Sequence, residues 1–154
     1  MSDTKKTTAR GASGSGWTDE ERAAMKEHVA ELKKAKSRGG KTSAADGLAD
    51  LLEKIAQLPA DDQAMAERIH SVVMAAAPNL APRTWYGMPA WALDGKVLCF
   101  FTPASKFKER YSSFGFNAVA NLDQGTMWPT AWAITKLSKA DEQQIGELVK
   151  KAVG

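Results

Sequence analysis

An α+β fold follows from three features of this 154-residue chain. Apolar residues recur at helical spacing from about residue 18 to residue 76 and then give way to short strand-like runs. Asp94-Gly95 stands between two of those runs as a two-residue hairpin signal, because that turn needs positive φ at both positions. A last helical pattern closes the sequence. Helices, an antiparallel meander and a helix in that order place helices around one sheet. A sheet of about four to six strands is expected, with a helical N-terminal extension and a C-terminal helix.

Residues 1–17 are rich in Ser, Thr, Gly and Lys, with almost nothing to bury, and read as a disordered tail. The Gly11–Gly16 run is a linker, since a phosphate-cradling glycine loop needs a strand before it. Thr18 and Glu21 then form a capping box that opens a helix running to about Lys36. Its apolar stripe is thin: Met25, Val29 and Leu32. A second helix over roughly 44–57 carries Leu48, Leu51, Leu52 and Ile55 and stops before Pro59. Residues 18–58 are read as the N-terminal extension and 59–154 as the α+β domain proper. In that domain, a helix from about Asp61 presents Met65, Ile69, Val72, Val73 and Ala76 and ends at Pro78.

Strands are predicted over Ala90–Leu93, Lys96–Phe101, Arg110–Phe116 and Thr130–Thr135, with Val97–Phe101 of the second continuously apolar as if covered on both faces. Ser138 caps the terminal helix, with Ile145, Leu148 and Val149 facing inward.

Composition narrows the function classes. Hydrophobic content of 44% and charged content of 25% are those of an ordinary globular protein. No run of eighteen apolar residues occurs, nor any secretion-signal pattern, so cytoplasmic residence without membrane association is expected. Cys99 is the single cysteine, which excludes an intramolecular disulfide and a multi-cysteine metal site. Residues 1–41 hold 10 Lys/Arg against 6 Asp/Glu, whereas residues 42–154 hold 11 against 12. The positive charge therefore belongs to the N-terminal arm. A near-neutral body and a basic run (Lys33, Lys34, Lys36, Arg38, Lys41) without interleaved aromatics argue against nucleic-acid binding.

Eleven of the twelve aromatic residues lie between Trp85 and Trp132, concentrated in Thr84-Trp85-Tyr86-Gly87-Met88-Pro89-Ala90-Trp91. Together with Asp94-Gly95-Lys96, Phe100-Phe101 and the Lys106–Tyr111 segment, that block resembles the YdhG-like family. Its members are small bacterial proteins, mostly of unknown function, grouped with the YjbR/CyaY-like and distantly frataxin-like proteins. The resemblance covers about residues 59–153. It implies a compact domain with an antiparallel sheet and, for some relatives, an iron-chaperone role serving iron–sulfur or haem assembly proteins.

Candidate site residues fall into two sets. Trp85, Tyr86, Met88 and Trp91, with Lys106 and Tyr111 nearby in sequence, can line a cleft for a small acidic or planar ligand; packing in the core is the competing reading. Asp19, Glu20, Glu27, Glu31, Asp61 and Asp62 are oxygen donors at helix starts and along the first helix, able to collect iron weakly. Helix capping and solvation explain the same acids without a metal. His28 and His70 are the only histidines, and His70 falls at the border of its helix's apolar stripe. No nucleophile–base pair or histidine-rich motif stands in the chain. A non-enzymatic binding protein is the expectation, with iron handling, a small-ligand cleft or partner docking through the first helix as the three forms it can take.

Overall fold

A computed structural model of the chain describes residues 16–154; the expected tail lies, up to residue 15, outside them. Four helices and five strands follow in the order α1 (Asp19–Ser37), α2 (Ala44–Ala56), α3 (Ala60–Ala76), β1 (Ala81–Trp85), β2 (Met88–Leu93), β3 (Lys96–Thr102), β4 (Ser112–Phe116), β5 (Ala131–Ile134) and α4 (Lys139–Val153). The strands form one antiparallel meander in sequence order, so the α+β layout holds. Helix starts form where hydroxyls meet free N–H groups: Thr18, Ser43 and Ser138 each accept a backbone N–H three residues on.

The sheet positions its side chains through register. Trp91 pairs with Cys99 and Cys99 with Phe116, while Phe101 pairs with Phe114 and Phe114 with Trp132. These residues share a face, because cross-strand partners point the same way. That face meets Ile69 and Val73 of α3, Ile145 and Val149 of α4, and Leu51 and Ile55 of α2 in one core. The core therefore runs across residue 58, where the extension was expected to end. α2 lies against β1 closely enough that a Cβ on Gly47 would stand 2.2 Å from the Pro82 carbonyl oxygen. Phe100, on the opposite face, lies over Gly115 and against Trp85.

Three local readings need correction. β1 was not anticipated, since Pro82 within it weakens a strand signal. Leu48 and Leu52 of α2 are exposed, the inward positions being Gly47, Leu51 and Ile55. The largest correction concerns α1. Met25, Val29 and Leu32 are 41%, 50% and 56% exposed, and Ala24 alone among its residues is buried. α1 turns its apolar stripe away from the body.

Candidate functional site

The inward row of α1 is polar. Glu20, Ala24, Glu27, Glu31 and Arg38 recur at helical spacing, and all five are less exposed than the residues between Met25 and Lys36 on the opposite side. Each charged member of that row has a partner on the body. Glu20 accepts from Lys108 at 2.8 Å. Glu27 accepts from Lys54 of α2 at 2.9 Å and from Lys106, in the β3–β4 connection, at 2.6 Å. Burial pushes the Glu27 carboxyl up, but the hydrogen bonds from Lys106 and Lys54 outweigh it and hold it below the usual range. Farther along, Asp50 of α2 accepts from Lys34 and Arg38, both at 2.8 Å, and the Arg38 guanidinium holds its carboxyl low.

Glu31 engages the backbone of the body. Tyr86 and Gly87 form the two-residue turn between β1 and β2, both with positive φ (52° and 74°). That conformation aims two successive N–H groups the same way and makes a small anion-binding concavity. One Glu31 oxygen accepts from Tyr86 N–H at 2.8 Å and the other from Gly87 N–H at 2.9 Å. His28, one turn back on α1, stacks on the Tyr86 ring with centroids 3.9 Å apart and planes 11° from parallel. Gly87 suits the turn by its φ, and Glu27 Oε2 and Lys106 Nζ occupy the space left by its missing Cβ, 1.8 Å and 2.7 Å from where that atom would stand.

The residues singled out from sequence are thus divided. Tyr86 and Lys106 are brought together, under α1, and Trp85 packs edge-on against Tyr86 with centroids 5.1 Å apart. Trp91 does not belong with them. It is fully buried on the helix-packed face, and its Nε1–H donates to Nδ1 of His70 at 3.2 Å. Its place is in the core, with its ring centroid 6.3 Å from that of Phe114. Met88 is also buried, its sulfur accepting from the Thr102 hydroxyl. Tyr111 lies exposed beneath the Arg110 guanidinium, 5.0 Å from it. Burial lowers the pKa of the half-buried His70, and raises that of the Cys99 thiol within β3.

The acids proposed for iron are also separated. Glu20, Glu27 and Glu31 face cations or N–H groups, and exposed Asp19 lies 4.0 Å from Arg22. Asp62 accepts from both the N–H and the hydroxyl of Ser105, tying the start of α3 to the β3–β4 connection, while Asp61 beside it is exposed. Among the described residues, no group of three or more His, Cys, Asp or Glu is placed to hold a metal ion. Also among them, no helix is long and apolar enough to cross a membrane.

Sequence reasoning missed Lys54 and Asp50. Their partners on α1 and its C-cap are between 12 and 27 residues away, and only the helical spacing of Glu20, Glu27, Glu31 and Arg38 hinted that α1 has an ordered polar face.

Comparison with known proteins yields no match among family models, curated proteins or solved structures.

Proposed function

We propose that this is a non-enzymatic binding protein that presents the outer face of α1 to an acidic, amphipathic helix of a partner. The observation that carries the reading is the reversed docking of α1. A helix that lay on the body for its own stability would bury Met25, Val29 and Leu32; this one exposes them and spends its charged row on the body. Met25, Val29 and Leu32 follow the 4-then-3 spacing of a helix–helix seam. Exposed Arg22, Lys26, Lys33 and Lys36 flank them, so the surface is apolar with a cationic border. A second copy of the same face would bring those cations together, which disfavours self-association; acidic residues beside an apolar seam complement them.

Iron handling, implied by the YdhG-like resemblance, would require carboxylates free to turn toward a cation. Glu20, Glu27 and Glu31 are instead engaged with Lys108, Lys54, Lys106 and the Tyr86–Gly87 turn, which supports docking as the stronger reading.

The test is an NMR titration of the full chain with a designed helical peptide carrying leucines at heptad spacing flanked by glutamates. Shifts confined to Arg22–Lys36, with affinity of about 10–100 µM for so short a seam and loss in a Met25→Gln/Val29→Gln/Leu32→Gln variant, are expected. No shift on α1, a response only to anionic vesicles, or concentration-dependent self-association through the same face would overturn it.

A further inference from the structure

The seat beneath α1 is built by the body and only filled by α1. Its parts come from three places: the Tyr86 and Gly87 N–H groups from the β1–β2 hairpin, Lys54 from α2, and Lys106 from the β3–β4 connection. They present two positions for negative charge beside one aromatic face. α1 supplies a carboxylate to each position and the His28 ring to Tyr86. We propose that this seat is a second binding site, for a planar aromatic molecule bearing two anionic groups, and that Glu27, His28 and Glu31 are its internal stand-ins.

The mapping is direct. Glu31 marks where one anionic group accepts two backbone N–H groups, Glu27 marks where the other meets two ammonium groups, and His28 marks a ring stacked on Tyr86. Cβ atoms at i and i+4 stand ~5–6 Å apart on one face of a helix, which puts the two anionic groups on the same side of the ligand. Carboxylate and phosphate suit the seat equally, since both offer oxygens to N–H and ammonium donors.

α1 is also attached in a way that lets it leave. No α1 residue belongs to the hydrophobic core cluster, and Gly39 and Gly40 join it to α2, both at positive φ with nothing within 4 Å of a built Cβ. A ligand must displace α1, so its apparent affinity is reduced by the fraction of molecules with the seat covered. Outer-face docking and this site use opposite sides of the helix, and either can fail without the other.

The experiment compares full-length wild type with two variants that loosen α1, by calorimetry and by the Tyr86 and Gly87 amide signals. Glu27→Ala/Glu31→Ala removes the stand-ins; Lys34→Ala/Arg38→Ala frees the other end of α1 and leaves the seat untouched. The probes are isophthalate and resorcinol bisphosphate, with benzoate and acetate as controls. At least ten-fold tighter binding of a probe with two anionic groups to either variant, shifts at Tyr86 and Gly87, and loss on adding Lys106→Met are expected. Preference for one probe identifies the anionic group. Equal binding to wild type and both variants, shifts elsewhere, or equal binding of acetate would refute the site.

Discussion

Glu31→Ala is the substitution whose consequence is most sharply defined. The Glu31 side chain is 14% exposed and accepts from two backbone N–H groups. A hydrogen bond to a charged group contributes about 1.5–3 kcal/mol where water is largely excluded. Both bonds share one carboxylate, and water reaches the freed N–H groups once α1 lifts, so the loss to α1 docking is about 2 kcal/mol rather than the sum. That is roughly a thirty-fold rise in the open population. Native-state hydrogen exchange reads it directly. The Tyr86 and Gly87 amides and those of α1 should exchange about thirty-fold faster, while amides of Leu98–Phe101 in β3 keep their rates, because the core contains no α1 residue. Equal acceleration in β3 would mean that α1 is part of the global folding unit, and no acceleration anywhere would mean that the Glu31 contacts do not hold it.

The same picture makes three further predictions. Met25→Gln/Val29→Gln/Leu32→Gln should leave thermal stability within about 0.5 kcal/mol of wild type, since exposed positions contribute little; a loss above 2 kcal/mol, by calorimetric melting, would show the stripe to be buried. Acid should release α1. Glu27 and Asp50 have depressed folded-state pKa values, so their stabilisation is complete above the ordinary values of 4.5 and 3.8 and is lost as pH falls through the lower folded ones. The amide and methyl signals of Ala24, buried on the seated side of α1, should therefore change as pH falls below about 4.5, and no change in them down to about pH 3 would contradict that. Trp91→Ala should cost about 3–5 kcal/mol and unfold much of the population in a denaturant titration, as for other large core truncations, whereas a fully folded variant would return Trp91 to the surface.

Much of the fold is legible in the residues because its signals are local. Thr18 and Glu21, Ser43 and Ser138 start helices by hydrogen bonds within three residues, and Asp94-Gly95 adopts φ values of 50° and 83° as a hairpin turn demands. β1 escaped notice because its stability comes from pairing with β2 and from α2 lying over it, neither of which Ala81–Trp85 encodes by itself. The site was half legible. Tyr86 and Lys106 stood out by type, but Trp91 looked the same in sequence and lies in the core. The orientation of α1 was hidden for a different reason. Three apolar residues on a helix suggest an inward stripe, and only the distant positions of Lys54, Lys106 and Lys108 make the acidic row the attractive one.

That orientation is tested most directly by solvent paramagnetic relaxation of methyl groups, using a soluble neutral spin probe on the full chain. If α1 is seated by its acidic row, the Met25, Val29 and Leu32 methyls are strongly broadened, in the manner of exposed Met127, and the Ala24 methyl is spared like that of Ile69. Protected Met25, Val29 and Leu32 methyls beside a broadened Ala24 would contradict it.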